Sequence, residues 1–257
     1  MLQRYVSKEL THFVGKYLKD RYQDPDQSEN EQYKLLVKIL IEGLLKGNDL
    51  TDDEIKSGQI ESVKIFDKGS FSKETWIKVK TVCFCDIPVN DLGIHMNKYS
   101  KFGLSFVKEF LIEKRANPVF YVAIDSKPPT PPTVKTIANR GDWFNKELIN
   151  FCKLLSPIMG TESSEVYKDI LNNFREFIWF FGKDILPFLK PFECCKSDND
   201  KENYYMEREW RVLGFVKFEL KDVSRIILPK SYIKRFKADF PDYYGQITFS
   251  DDYSLPE

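Results

Sequence analysis

The sequence predicts an α+β protein whose core is a mixed or antiparallel sheet. Strand-like segments occur in the first and last thirds of the 257 residues, whereas the middle carries a long helical pattern. The chain has no internal repeat and no regular alternation of strands with helices, which argues against a parallel α/β fold. It contains neither G-x-G-x-x-G nor G-K-[ST], which excludes the Rossmann and Walker nucleotide-binding motifs.

Composition and charge indicate a globular, cytoplasmic protein. Lysine plus arginine number 39, as do aspartate plus glutamate, so a zero net charge gives no overall attraction to nucleic acid or to an anionic membrane. The most apolar stretch, Phe177–Gly182, is far shorter than the ~20 residues of a membrane span, and the N-terminal region lacks the apolar stretch of a signal peptide. The five cysteines stand in C-x-C and C-C spacings, which predicts reduced thiols and no metal site.

The first half of the chain contains one strong helical pattern, which lies between strand-like segments. Lys8–Gly15 predicts a short strand that ends in a glycine turn. Ser28 and Glu31 are spaced as a capping box, and Gly47 with Asn48 marks the predicted end of the helix that follows. Between these signals, apolar residues recur at helical spacing: Tyr33, Leu36, Val37, Leu40, Ile41 and Leu44.

Further strands and a short helix are predicted before residue 125. Trp76–Cys85 first alternates and then becomes continuously apolar, which is typical of a strand that runs from a sheet edge into a core. Gly103–Phe106 and Pro118–Ile124 are also strand-like, and Asn90–Tyr99 has the pattern of a short helix. The polar region before Trp76 predicts a loop with one short strand at Val63–Phe66.

The middle of the chain changes character at a run of prolines. Pro128–Pro132 predicts a stiff, extended spacer. Trp143–Lys190 predicts a helical block whose long aromatic stripe we assign to core packing. We therefore predict a single domain over residues 1–257, in which residues 128–203 are an inserted spacer plus helical block.

The last third of the chain returns to strands. Glu209–Phe218 and Val223–Leu228 predict two paired strands. A short helix at Tyr232–Ala238 and a final strand at Gln246–Phe249 follow them. Strands thus flank the helical block on both sides, which indicates an α+β fold.

The chain has two histidines, His12 and His95, so any histidine-dependent chemistry must use one of them. His12 lies at the end of the first predicted strand, and His95 lies in the short helix ahead of Gly103–Phe106. An isolated histidine is more often a satisfied structural residue than a ligand or a catalyst, and both interpretations stay open for this pair.

A third candidate is Glu207–Arg211, where four charges occupy five positions at the start of a strand. Strand alternation predicts that Glu207, Glu209 and Arg211 share one face of the sheet. Two carboxylates about 7 Å apart repel each other unless Arg211 or a ligand compensates their charge. The segment is either an exposed ion-pair ladder of little stability or an acid placed for chemistry.

The chain resembles the bacterial abortive-infection family AbiGi, which takes part in phage defence. The resemblance covers most of the chain except the proline-rich spacer and the helical block. It implies a phage-defence role, and the family's label of antitoxin implies a partner. The matching motifs are Leu10–Phe13, Ile39–Leu44, Cys83–Pro88, His95 with Tyr99 and Phe102–Phe106, Asn117–Tyr121, and Glu207–Val212.

A more distant resemblance is to the DNA-modifying ADP-ribosyltransferase toxins of the DarT type. It rests on His12 followed by a helix that ends at Ile39–Leu45, and on Glu207-Arg208-Glu209, which is similar to the E-x-E motif of ADP-ribosyltransferases. This resemblance implies an ADP-ribosyltransferase-like fold with NAD as substrate. Breaking the nicotinamide–ribose bond passes through an oxocarbenium-like state, which a carboxylate beside the ribose stabilises.

The same resemblance implies roles for individual residues. His12 would hold the adenosine ribose, Tyr99 or else Ser105 would pack against nicotinamide, and Glu209 would stabilise the ribosyl cation. In full, it implies Glu209, Glu207 and Tyr99 as catalytic residues, and His12, Thr11, Ser105 and His95 as NAD-binding residues.

Three functions of different classes follow from these observations. The first is a phage-defence effector with an NAD-using, ADP-ribosyltransferase-like or NAD glycohydrolase activity, whose acceptor is protein, nucleic acid or water. The second is a catalytically inactive antitoxin or regulatory subunit that binds a cognate toxin or another defence protein. The third is a nuclease that holds a divalent cation between Asp86, Glu207 and Glu209, although these acids form no compact cluster in the sequence.

Overall fold

A computed structural model describes residues 7–58, 63–65, 77–124, 165–197 and 203–253, together with residues 146–147, 150 and 200. The chain divides into two compact units. The first comprises Met1–Thr51, Thr81–Pro118 and Asp198–Glu257, and the second comprises Asp52–Lys80 and Val119–Ser197. The single domain with a 128–203 insertion stays a prediction, and the proline-rich spacer lies outside the described residues.

Strands and helices alternate irregularly along the described chain. The strands are β1 Glu9–Phe13, β2 Leu44–Lys46, β3 Val63–Ile65, β4 Ile77–Val79, β5 Thr81–Cys85, β6 Gly103–Val107, β7 Asn117–Pro118, β8 Phe120–Ala123, β9 Leu189–Phe192, β10 Glu209–Leu213, β11 Phe215–Lys217, β12 Val223–Leu228 and β13 Gln246–Phe249. The α-helices are α1 Lys16–Arg21, α2 Pro25–Glu42, α3 Asp52–Ser57, α4 Gly93–Lys98, α5 Lys108–Glu113, α6 Glu165–Phe180 and α7 Ile233–Asp239.

A seven-stranded sheet forms the centre of the first unit. Its strand order is β13-β12-β6-β1-β5-β10-β7. Neighbouring strands are antiparallel, except that β12 and β13 run parallel. This mixed, mostly antiparallel sheet with helices packed on it confirms the predicted α+β class.

One surface of this sheet, which we call the apolar face, is covered by the main hydrophobic core. Helices α2, α5 and α7 contribute Leu36, Leu111 and Phe236 to this core. Because each such side chain leaves water completely, its burial contributes on the order of 2 kcal/mol. The face itself is made of alternate strand residues: Leu10, Phe84, Leu104, Val212 and Ile226.

The opposite surface, which we call the polar face, carries the residues between those apolar positions. Residues directly opposite each other on neighbouring strands share a face, and their registers align one row across five strands. That row is Glu209, Cys85, Thr11, Ser105 and Arg225. Helix α4 packs on the polar face through a small core that contains Leu92, Met96 and Ile227.

The long helix of the first unit begins and ends earlier than the sequence pattern predicts. Asp24 caps its N-terminus by accepting a hydrogen bond from the Asp26 amide, and Pro25 occupies the first turn, so Ser28 is not the cap. The helix ends at Gly43, whose φ of 59° is left-handed. The position requires glycine also because a Cβ there would lie 2.3 Å from the Phe218 carbonyl oxygen. Leu44 therefore belongs to β2.

Several predicted strands are divided in the structure. The predicted strand 209–218 breaks at Gly214, whose φ of 77° suits glycine, so that β10 pairs with β5 and β11 pairs with β2. Its predicted pairing with Val223–Leu228 is wrong, because β12 lies between β6 and β13. The other two divided segments are Trp76–Cys85, which separates into β4 and β5, and Pro118–Ile124, which separates into β7 and β8.

The second unit contains α3, α6 and two pairs of strands. Strands β8 and β9 pair in parallel, and β3 and β4 pair antiparallel. The sequence pattern missed β9, because its first two residues were assigned to the end of the predicted helical block. A small core here joins Val122 and Leu186. Among the helices that the structure describes, none is long and apolar enough to cross a membrane.

Candidate functional site

A buried charged cluster lies where the end of α4 meets the turn before β10. Glu207 ends a 3₁₀ turn at Tyr204–Glu207, and its side chain is only 8% exposed. Its Oε1 accepts a hydrogen bond from Lys98 Nζ at 2.6 Å and another from the Tyr99 hydroxyl. Charge-assisted hydrogen bonds of this kind are stronger than neutral ones, so the three side chains hold each other in place.

Glu209, two residues later, has a different cationic partner. Its carboxylate accepts a hydrogen bond from Arg211 Nε at 2.6 Å, and both side chains are nearly inaccessible to solvent. In the sheet, Glu209 lies opposite Cys85 on β5. Each of the two neighbouring glutamates is therefore compensated separately.

The backbone conformation of Arg208 explains why Glu207 and Glu209 do not lie on the same strand. Arg208 has φ 44° and ψ 51°, a left-handed conformation that costs an ordinary residue roughly 1 kcal/mol. Its carbonyl oxygen accepts a hydrogen bond from the Asp86 amide, which anchors the turn to the end of β5. Strand alternation thus begins at Glu209, and its predicted extension back to Glu207 is wrong.

Tyr99 is surrounded by charged and aromatic groups. Its ring stacks on Phe13 with centroids 6.2 Å apart and on His95 at 6.3 Å, and Lys16 Nζ lies 4.9 Å from its centroid. Burial, with the negative charge of Glu207, raises the pKa of Tyr99 far above its usual value. The hydroxyl therefore stays protonated and donates to the Glu207 carboxylate.

Thr11 and Ser105 form a neutral hydrogen bond in the middle of the polar face. Their hydroxyl oxygens are 2.8 Å apart on the neighbouring strands β1 and β6, and both residues are buried. Each hydroxyl satisfies the other, so this pair fits a role in holding the sheet.

Cys85 lies in the same row of the polar face. Burial, together with the charge of Glu207, raises the pKa of its thiol well above the usual range. A thiol that stays protonated is a poor nucleophile and a poor metal ligand. Cys83 and Cys85 are free cysteines, and Cys152 lies outside the described residues.

The structure does not bring His12 together with Glu209. His12 follows Thr11 on β1 and therefore projects to the apolar face, where its ring meets Phe84 edge-on at 5.8 Å. Its Nδ1 lies 2.8 Å from the Cys83 carbonyl oxygen. Burial lowers the pKa of His12, so the ring is neutral near pH 7, with Nδ1–H donating to that carbonyl.

His95 lies in α4, buried beside Glu207 and Tyr99. Its Nδ1 is inaccessible and has no hydrogen-bond partner among the described residues. Burial lowers the pKa of His95 to about 4, although the negative charge of Glu207 opposes this change. The ring is therefore neutral near pH 7.

Asp86, the third acid of the nuclease hypothesis, also has its own cation. Its Oδ2 accepts a hydrogen bond from Lys108 Nζ at 2.7 Å, and its Oδ1 accepts one from the Ser7 amide at 3.2 Å. Across the described ranges, no group of three His, Cys, Asp or Glu side chains is arranged to hold a metal ion. The donor set available here does not fit a divalent cation.

Of the seven predicted site residues, the structure gathers six around the polar face and α4 and places His12 on the other face. The lysine partners of Glu207 and Asp86 were not predicted. Lys98 is 109 residues away from Glu207 in sequence, so no local pattern could have paired them. Arg211, in contrast, stands two positions after Glu209, and its compensating role was one of the two interpretations of that segment.

Comparison of the sequence with known proteins shows that the chain is similar to phage-resistance proteins. A family described as "Putative abortive phage resistance protein AbiGi, antitoxin" matches residues 73–246. A relative from Lactococcus lactis subsp. cremoris, named abortive phage resistance protein AbiGi, is 27% identical over 157 residues, which cover 51% of this chain. The match spans 62% of that relative's length. No solved structure matches the chain.

Proposed function

The chain belongs to the AbiGi family of abortive phage resistance proteins, and from this premise we propose that it is the antitoxin-type, binding component of a phage-defence system. Such a component works by holding a partner protein, its cognate toxin, in an inactive complex. The family's description as an antitoxin supports this assignment directly.

One observation within the molecule carries the proposal: the acids that could do chemistry are compensated internally. Glu207 is paired with Lys98, Glu209 with Arg211, and Asp86 with Lys108, at 2.6–2.7 Å in each case. A general acid, base or nucleophile has to face its substrate, whereas these carboxylates face lysine and arginine of their own chain.

Expression in bacteria tests this proposal before the partner is identified. The chain would be induced by itself, and then together with each gene that flanks its own gene. We expect normal growth from the chain by itself, and rescue of growth when a flanking gene product that is toxic by itself is expressed with it. Growth arrest by the chain without any flanking gene would overturn the proposal, because an antitoxin does not intoxicate its host.

A physical complex gives the second arm of the same test. We expect the rescued toxin to co-purify with the chain and to elute with it as one species in size-exclusion chromatography. Rescue without a complex would contradict the binding mechanism, since it would place the neutralisation at some other step.

An NAD-using, ADP-ribosyltransferase-like activity is the second candidate function. The observation in its favour is that Tyr99, Glu207 and Glu209 lie close together, with Tyr99 influenced by the charge of both glutamates. The position of His12 on the opposite face counts against it, because the resemblance needs His12 and Glu209 around one ligand.

Labelled NAD separates the two functions. The purified chain would be incubated with NAD labelled in the adenylate phosphate and a bacterial lysate, next to Glu209→Gln and His12→Ala. Glu113→Gln is the matched control, because Glu113 is exposed at the end of α5. We expect no label transfer and no free ADP-ribose from any variant. Turnover by the wild type and by Glu113→Gln, lost in Glu209→Gln, would establish the transferase or hydrolase instead.

A further inference from the structure

Three large aromatic side chains near the end of α6 are exposed, and we call them the aromatic surface of α6. Trp179 and Phe180 are 62% and 52% exposed, and Phe177, three positions before Phe180, is 53% exposed. The aromatic stripe of this segment predicted core packing, and the exposure of Phe177 departs from that prediction. Single exposed aromatic residues are ordinary, whereas a group of them on one surface is typical of an interaction site.

An open groove of about 380 Å³ lies along the aromatic surface. It is lined by Trp179 and Phe180 and, one helical turn to either side of Phe180, by Glu176 and Asp184. These positions recur at i, i+3, i+4 and i+8, which is the spacing of one side of a helix. A groove along one side of a single helix suits an elongated protein segment better than an enclosed small molecule.

The two carboxylates of the groove are not compensated by the chain. Neither Glu176 nor Asp184 has an ion-pair partner in the part of the chain that the structure describes. They differ in this from the buried acids of the first unit, Glu207, Glu209 and Asp86, each of which is paired with a lysine or arginine. An anion at each end of an apolar surface favours a cationic partner.

Lys183 shows that a cation packs on this aromatic surface. Its Nζ lies 3.7 Å from the centroid of the Trp179 ring, where the electron-rich face of the indole attracts it. Two carboxylates and this one ammonium leave the groove with a net negative charge. Lys183 and Asp184 belong to a π-helical turn, Phe181–Ile185, that continues α6. Turns of this kind are rare and occur frequently at functional sites.

We propose that the aromatic surface of α6 docks a basic amphipathic helix of the partner protein. This inference rests on the proposed function, because the partner is the cognate toxin. Large apolar side chains of that helix pack on Trp179 and Phe180, and its lysine or arginine side chains pair with Glu176 and Asp184. The two carboxylates are eight positions apart, which is about 12 Å along a helix, so basic residues two turns apart on the partner reach both.

A designed peptide tests the chemistry of this surface without the toxin. The probe is a labelled helical peptide with leucine on one side and lysine on the other, and its matched control carries glutamate in place of each lysine. Fluorescence anisotropy would measure the binding of both to the purified full chain at low salt. We expect the lysine peptide to bind at least tenfold more tightly. Equal or tighter binding of the glutamate peptide, or no binding of the lysine peptide at millimolar concentration, would overturn the proposal.

A double variant connects the binding to the aromatic residues. Trp179→Ala combined with Phe180→Ala removes the two rings that line the groove, so we expect at least tenfold weaker binding of the lysine peptide. Phe120→Ala is the matched control, because Phe120 is 60% exposed on β8 of the same unit, and it should bind like the wild type. Circular dichroism checks that both proteins are folded. Unchanged affinity in a folded double variant would refute the site.

A second double variant tests the charges and decides the matter if the first one unfolds. Glu176→Gln combined with Asp184→Asn preserves side-chain size and removes both carboxylates, so we expect at least threefold weaker binding of the lysine peptide at low salt. Asp169→Asn changes an exposed carboxylate of α6 outside the groove and should bind like the wild type. Equal affinity of these two proteins would refute the role of the groove.

The toxin that growth rescue identifies distinguishes this inference from the proposed function. We expect the toxin to co-purify with the wild type and with Phe120→Ala, but not with the double variant of Trp179 and Phe180. A toxin that still binds the double variant would refute the docking surface and leave the antitoxin function intact. If no flanking gene product binds the wild type, the proposed function fails and this inference fails with it.

Analytical ultracentrifugation of the chain by itself tests a second copy of the chain as the competing occupant. We expect a monomer at micromolar concentration, because the groove carries a net negative charge in every copy. A dimer that is lost when Trp179 and Phe180 are replaced would overturn the proposal, since it would assign the aromatic surface to self-association.

Discussion

The two faces of the seven-stranded sheet are built from adjacent residues of the same strands, yet they are stabilised in different ways. On the apolar face, Leu10, Leu104 and Phe106 are completely buried among other hydrocarbon groups. On the polar face, neighbouring positions such as Thr11, Ser105 and Glu209 are just as buried, but each one depends on a specific partner. The comparison teaches that burial alone does not tell which residues are interchangeable.

The two faces differ because apolar contacts have no preferred direction, whereas hydrogen bonds and ion pairs do. Apolar contacts are non-directional and scale with area, so the apolar face tolerates exchange between side chains of similar volume. Hydrogen bonds and ion pairs require a particular geometry, and a buried polar group that loses its partner is left desolvated. The polar face should therefore respond to changes that preserve volume but remove a partner, and the apolar face should not.

The largest expected effect comes from a cavity on the apolar face. Phe106 packs against Phe84, Phe110 and Phe218, and Phe106→Ala should lower the free energy of unfolding by about 4 kcal/mol in urea denaturation. Phe120→Ala is the matched control, because Phe120 is 60% exposed, and it should change the free energy by less than about 0.5 kcal/mol. Equal effects of the two variants would contradict the assignment of the core.

We expect the next largest loss of stability from breaking the buried ion pair between Glu207 and Lys98. Glu207→Gln barely changes volume but leaves Lys98 without its counter-charge, so we expect a loss of about 3 kcal/mol in urea denaturation. Glu31→Gln is the matched control, because it breaks an exposed ion pair of the same length. Glu31 lies 2.6 Å from Lys34, whose side chain is 54% exposed. This surface change should lose less than about 0.5 kcal/mol. A small effect for Glu207→Gln would show that solvent reaches the cluster.

A pH-dependent effect on the polar face follows from His95. Its pKa falls from 6.5 to about 4 on folding, so the unfolded chain binds the proton more readily and stability is lost as pH falls through this interval. Between pH 7 and pH 5 the loss from this group should be about 2 kcal/mol. The measurement is urea denaturation of the wild type and His95→Phe at both pH values, and the wild type should lose more. Parallel losses in both proteins would place the pH dependence elsewhere.

The smallest effect probes the neutral hydrogen bond of the polar face. Thr11→Val leaves the Ser105 hydroxyl buried without this partner and should cost about 1 kcal/mol in thermal or urea unfolding. Adding Ser105→Ala removes the unsatisfied hydroxyl, so the double variant should recover most of the loss. If Ser105→Ala lowers the free energy of unfolding further, the two hydroxyls contribute independently. That result would contradict the idea that each depends on the other as its hydrogen-bond partner.

Much of the fold could be predicted from the sequence, because strands and helices have local periods. The pattern located β1, β6, β12 and β13 within about one residue, along with α7, from alternation and flanking turn residues. It missed the breaks at Lys80, Val119 and Gly214, and it missed β9. These features depend on which strand lies beside each segment, and no short window contains that information.

The sequence could indicate which residues are candidates for the site, but not which side chains contact each other. The scarcity of histidines and the density of charge at Glu207–Arg211 drew attention to segments that the structure brings close together. The partners Lys98 and Lys108 came from other parts of the chain, and the turn at Arg208 separated Glu207 from the strand that alternation assigned to it.

The sequence by itself determined the α+β class, the positions of most strands and the helical stripe of α2. These properties follow from the local periodicity of apolar side chains, which the chain carries with it before it folds. Only the tertiary structure decided that His12 and Glu209 project to opposite faces, and that each buried acid has its own cation. Those outcomes depend on strand register and on contacts between distant residues, such as Lys98 and Glu207, which are 109 positions apart. Both exist only after the chain has folded.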